Sequence, residues 1–177
     1  MRRFLYAAAT MGINIRRECT RAFVKQGGKK VYLERDRIPG SHAVTAERAS
    51  KGYLLLQGFI GDKDNRQFDL VKLDLKTGLR QPIAREPAPL NDCYGIIAGK
   101  PSPSGDFILL ERSKAQTCNA EDSKTDLEVT LFNARLQPLG TPYDTVVTRS
   151  WQLNWISETA YELKDDERTQ QFEVPLD

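Results

Sequence analysis

The stretch Pro101–Arg112, PSPSGDFILLER, decides how this chain reads. Two prolines, two serines and a glycine build a tight turn: proline presets φ, and glycine accepts the positive φ that such turns demand. The turn runs straight into Phe107–Leu110, an apolar run closed by Glu111 and Arg112, which is the signature of a buried strand. The same switch from turn to strand recurs at Lys51, in KGYLLLQGF, and at Ser157, in SETAYELKD. Aligning the three puts Tyr53, Phe107 and Tyr161 in register at equal spacing.

After a polar gap, each of these strands is followed by a second one with clean alternation: QFDLVKLDL from Gln67, DLEVTLFNA from Asp126 and QFEVPLD from Gln171. Side chains two apart share a face of a strand, so Phe68, Leu70 and Lys72 fall together. Leu127, Val129 and Leu131 form the next set, and Phe172, Val174 and Leu176 the third. The first two second strands end in turns and a further extended piece, LKTGLRQPIA from Leu75 and NARLQPLGTP from Asn133. No segment sustains a helical period of apolar residues, so the expected fold class is all-β.

A unit of antiparallel strands recurring at roughly 50 residues suggests a propeller blade or a stack of meanders. In SPSGDFILL, DLEVTLFNA, WQLNWISETAYEL and DLVKLDLKTGLRQPI, residues 51–177 resemble consecutive blades of the TolB-type β-propellers. Three units are fewer than a closed ring takes. The resemblance therefore implies an incomplete or open β-propeller-like stack of antiparallel sheets, with a β-sandwich as the alternative. The expected organisation is a single β-rich domain, 1–177, with repeat-like units at 51–85, 101–142 and 151–177. Trp151 and Trp155 lie four apart, on one face if extended, and are expected to fill a junction between sheets.

Ahead of these units, Gly27-Gly28 separates two β-prone runs, and 22–35 reads as a hairpin, expected to complete one of the sheets. The loop-like RIPGSHAVTAERASKG follows, with one helical turn expected around Thr45–Ala49. Residues 1–21, MRRFLYAAATMGINIRRECTR, superficially match an export signal, but Arg16, Arg17 and Glu18 interrupt the apolar run and it is too short to span a bilayer. A short helix or strand on the body and an atypical export signal are both open readings.

At 177 residues the chain is long enough to bury roughly 70% of its unfolded surface without a metal. Twenty-six basic and 24 acidic side chains leave a net charge of +2, which is no clustered field for phosphate, so nucleic acid is not the expected partner. No membrane span is expected. Three cysteines without a CxxC pair and a single histidine are too few for a zinc site, and no cofactor or metal is expected. In an oxidising compartment Cys93 and Cys118 are the candidate disulfide, with Cys19 free; in a reducing one all three are thiols. The expected location follows: periplasmic if that bridge forms, cytoplasmic otherwise.

No catalytic set stands out. His42, in IPGSHAV, has no GxSxG elbow or cysteine-protease signature beside it and reads as a loop histidine. Asp62, Asp64 and Asn65 open like a calcium loop, but the sixth-position glycine and the closing glutamate are missing. The acidic runs at 61–67, 119–126 and 164–170 all fall between the first and second strands of a unit, where solvated hairpin tips belong. No Gly-rich phosphate motif is present.

The distinguishing feature is an oversized connector, SKAQTCNAEDSKT at 113–125, longer than its counterparts. Loops on rigid β scaffolds often carry recognition; the other reading is a tolerated insertion. In size, β content and one protruding loop the chain resembles the immunity proteins that neutralise peptidoglycan-amidase effectors of type VI secretion. That resemblance implies a non-enzymatic protein-binding module whose partner is a toxin or effector enzyme, a secreted cell-wall amidase plugged by the loop. Ser113, Lys114, Gln116, Thr117 and Asn119 are the candidate partner-binding residues. The alternative function is a small-ligand-binding or hydrolytic protein using a central depression near Tyr94 and Trp151.

Overall fold

The computed structural model describes residues 51–60, 67–87, 96–115, 124–148 and 150–175, together with the backbone of four strands nearer the N-terminus. All described regular structure is β. In chain order the strands are β1 (Ile15–Glu18), β2 (Arg21–Gln26), β3 (Lys29–Tyr32), β4 (His42–Arg48), β5 (Tyr53–Ile60), β6 (Gln67–Asp74) and β7 (Arg80–Pro87). They continue with β8 (Ile96–Pro101), β9 (Phe107–Ala115), β10 (Thr125–Asn133), β11 (Tyr143–Val147), β12 (Gln152–Trp155), β13 (Ala160–Lys164) and β14 (Thr169–Glu173). Every pairing is antiparallel between sequence neighbours, giving sheets β1-β2-β3, β4-β5-β6-β7, β8-β9-β10-β11 and β12-β13-β14, none closed into a barrel. The chain divides into two compact units, residues 1–90 and 91–177.

In the first unit the Gly27-Gly28 hairpin forms as β2 and β3, paired from Phe23↔Tyr32 to Gln26↔Lys29. Contrary to expectation it completes none of the later sheets: β1 joins it as a third strand, Ile15 opposite Val24. The helical turn expected at Thr45–Ala49 is likewise corrected. Those residues belong to β4, which runs from His42 and pairs with β5 across a register shift between His42 and Thr45. Alanine, glutamate and arginine favour a helix weakly, and pairing against Leu54–Gln57 overrides that preference. His42 therefore opens a strand, opposite Phe59, rather than sitting in a loop. Tyr53, Leu54, Leu55 and Leu56 on β5 and Phe68, Leu70, Val71 and Leu73 on β6 are buried. Both strands are thus covered on both faces, and Lys72, the third residue of the alternating set, is half-buried, its ammonium 4.7 Å from the centre of the Tyr53 ring.

Asp74 ends β6 by folding its own side chain into the turn. Its Oδ1 accepts from the backbone of Lys76 (2.9 Å) and Thr77 (2.7 Å) and from the Thr77 hydroxyl (2.9 Å), while Gly78 supplies φ +75°. These Thr77 and Lys76 donors hold the Asp74 carboxyl below its ordinary pKa. Asn133 ends β10 in the same way, its Oδ1 accepting from Arg135 and Gln137. The two turns occupy one place in the repeat.

In the second unit the opening turn is built as the sequence implies. Ser102, buried, accepts the Phe107 N–H on its hydroxyl and the Gly105 N–H on its carbonyl, with Gly105 at φ +81°. From there β9 and β10 pair without interruption from Phe107↔Asn133 to Ala115↔Thr125. One face of this sheet presents Leu109, Leu127, Val129, Leu131 and Val147. They share a core with Leu153, Tyr161, Leu163 and Val174 of the last sheet. Two sheets thus face each other through one interior. Their aromatic seam runs Phe107–Trp155 (6.4 Å), Trp155–Tyr161 (5.7 Å), Tyr161–Phe172 (5.0 Å) and Phe172–Tyr143 (4.7 Å) between ring centres. Burial within this seam raises the Tyr161 pKa, and the neighbouring Tyr143 adds to it.

Equivalent positions of the repeat meet across the seam. Ser104 donates its N–H to Glu158 Oε2 at 2.9 Å, a pair 54 residues apart. The Trp155 indole donates to the Lys100 carbonyl at 3.0 Å, and Lys100 Nζ donates back to the Leu153 carbonyl at 2.5 Å. The far face of the last sheet is different. Gln152, Asn154, Lys164, Gln171 and Glu173 are exposed there, so this sheet ends the pair and leaves an open polar face to water.

Candidate functional site

The connector between β9 and β10, residues 116–124, leaves the sheet pair at one end, and the described residues show what holds that end. Glu111 on β9 points into the shared interior with the apolar Leu109, because both lie on one face of the strand. Its buried carboxylate accepts from the Trp151 indole at 2.6 Å, and Lys100 Nζ lies 3.7 Å from its second oxygen. A buried carboxylate without partners would be strongly destabilising, and here one indole donor and one nearby ammonium charge offset that cost. Ser113 and Thr125, also buried, continue the polar strip toward the connector.

The last sheet adds a second clamp at the same end. The hairpin between β13 and β14 is closed by Asp165, whose Oδ1 accepts the N–H groups of Glu167 (3.0 Å) and Arg168 (2.9 Å). Its other oxygen accepts the Thr148 N–H at 3.4 Å and lies 3.7 Å from Arg168 Nε. Burial alone would raise the Asp165 pKa. The backbone donors of Glu167, Arg168 and Thr148 and the Arg168 charge outweigh that and hold it below the usual carboxylate range. Arg168 also donates to the Thr145 hydroxyl (2.5 Å) and the Val146 carbonyl (2.7 Å) of β11, tying the outer strand of one sheet to the hairpin of the other. Within the run at 164–170, Asp165 is therefore a built junction, while Lys164, Asp166, Glu167 and Arg168 stay exposed at the hairpin tip.

The sequence-selected residues divide sharply. Ser113 is a strand residue opposite Leu127 and only 5% exposed, so its hydroxyl belongs to the interior. Lys114 is also in β9, opposite Asp126, with its side chain exposed beside the connector. Gln116, Thr117, Asn119 and the cysteines Cys93 and Cys118 lie outside the described residues, as do Asp62, Asp64, Asn65 and Tyr94. Trp151 and Trp155 fill the junction between sheets, each with its indole N–H hydrogen-bonded. The Glu111 and Asp165 clamps escaped the sequence reading, although alternation alone sets Glu111 among Leu109, Leu127 and Val129.

Among the described residues no group of three or more histidine, cysteine or acidic side chains is placed to hold a metal ion, and no helix is long and apolar enough to cross a membrane. No buried side-chain nitrogen or oxygen among them is left without a hydrogen-bond partner. No family model, curated protein or solved structure matches this chain.

Proposed function

We propose that the chain is a non-enzymatic binding module that presents residues 116–124 to a partner protein, and that the partner is a secreted enzyme whose active-site cleft the connector enters. The observation that carries this reading is the uninterrupted β9–β10 ladder, in register to Ala115↔Thr125 and ending in a connector longer than its equivalents at 61–66 and 165–168. Such a ladder gives the connector a fixed base, and a base locked by Glu111–Trp151 and Asp165–Arg168 lowers the ordering cost of binding. Gln116, Thr117 and Asn119 supply amide and hydroxyl groups, Lys114 a flanking cation, and each partner hydrogen bond contributes about 1 kcal/mol. The resemblance to immunity proteins supports a cell-wall amidase of type VI secretion as the target, and the separate resemblance of residues 51–177 to TolB-type blades supports an open stack as the scaffold.

The test is inhibition of peptidoglycan amidases by the purified protein and by a variant with 116–123 replaced by glycine and serine. Inhibition by the first alone, with unchanged thermal unfolding of the second, supports the reading. Equal inhibition by both, or none by either across a panel of secreted amidases, refutes it.

A further inference from the structure

We propose that β14 is a pairing edge for a second copy of this chain, the two β14 strands joining antiparallel about Gln171. An open strand edge templates another strand, and proteins guard edges with prolines, charges, bulges or covering side chains. The other edges here are guarded in those ways. In the sheet of β4 to β7, β4 has its register shift and β7 carries Pro82 and Pro87. In the next sheet β8 carries Gly99, Lys100 and Pro101, and the Val146 carbonyl of β11 is capped by Arg168. On β12 the Leu153 carbonyl is capped by Lys100. β1 and β3 are rich in arginine and lysine. β14, TQQFE, has no proline and no register shift, carries a single charge, Glu173, at its end, and among the described residues pairs with β13 alone.

The phase of the β13–β14 ladder fixes which groups the edge offers. Val174 donates to the Thr159 carbonyl and Asp165 to the Arg168 carbonyl, so in β14 the even-numbered residues bond inward to β13. Thr169, Gln171 and Glu173 accordingly turn their N–H and C=O groups outward, and all three are exposed. Set against itself antiparallel, β14 places Gln171 opposite Gln171 and Thr169 opposite Glu173, while Gln170 meets Phe172 on the other face. No like charges oppose each other, the glutamine amides are self-complementary, and the half-buried Phe172 gains cover. The three outward residues of each copy supply about six main-chain hydrogen bonds, each opposed pair exchanging both of its own. A contact of this kind buries less than ~1,000 Å², so the association is weak and concentration-dependent.

Sedimentation velocity over a concentration series up to about 1 mM, the range in which so small an interface is populated, tests this. The wild-type sedimentation coefficient should rise toward that of a dimer. Gln171→Pro removes an outward N–H and leaves the β13 bonds in place, so it should stay monomeric with an unchanged circular dichroism spectrum. Gln171→Lys and Gln171→Glu should each be monomeric at low salt and associate when mixed. A wild type that remains monomeric throughout, dimers that survive Gln171→Pro, or charge variants that fail to associate on mixing while correctly folded would overturn the proposal.

Discussion

Truncating Leu109 to alanine removes a fully buried side chain from the middle of the interior shared by the two sheets of residues 91–177. Its neighbours are held in paired strands on both sides and cannot collapse freely into the gap. The cost should sit near the middle of the range for buried leucine, about 3 kcal/mol. The molecule carries its own reporter, because both of its tryptophans, Trp151 and Trp155, stand in this seam. Urea unfolding followed by tryptophan fluorescence therefore reads the sheet pair itself. With a slope of about 1.5 kcal/mol per molar urea for a unit of this size, the midpoint should fall by about 2 M. Ile156→Ala, at a side chain 49% exposed in the same unit, is the control and should move it by less than ~0.5 kcal/mol equivalent. A Leu109→Ala midpoint as close to wild type as the control's would refute a common core between these sheets.

Glu111→Ala should destabilise the same unit by about 2–3 kcal/mol, since it strands the Trp151 indole and removes the charge beside Lys100, whereas Glu111→Gln should cost less by keeping an acceptor; paired urea curves decide this. Asp165 and Asp74 have depressed folded pKa values. Their stabilisation is present above the ordinary carboxylate range, about pH 4, and is lost as pH falls through the lower folded values. Thermal unfolding from pH 6 down to pH 2 should show that decline, and Asp165→Asn should flatten it. Gly78→Ala has open space for its methyl group but must hold φ +75°, so it should cost about 1 kcal/mol by strain alone, measured by denaturant unfolding.

Much of the architecture was legible because it rests on local rules. Alternation in DLEVTLFNA put Leu127, Val129 and Leu131 on the core face, the glycine pair marked the β2–β3 hairpin, and the spacing of Tyr53, Phe107 and Tyr161 fell at the starts of β5, β9 and β13. β4 was missed because HAVTAER has helix-leaning composition and its strand state comes from pairing with the next strand, β5, rather than from its own pattern. Ser113 and Lys114 read as loop for a related reason: they are polar, and only the extension of β10 back to Thr125 draws them into the ladder. At Asp165 the charges suggested solvent, yet its carboxylate closes a turn on N–H groups two and three residues ahead and reaches Thr148 across the seam. Long-range contacts of that kind leave no local pattern.

Nuclear magnetic resonance tests the shared interior most directly. Ring-to-ring cross-peaks should connect Tyr143 of β11 with Phe172 of β14, whose centres are 4.7 Å apart, and Trp155 with Phe107. A spectrum in which Phe172 and Trp155 contact only residues of β12, β13 and β14 would contradict it.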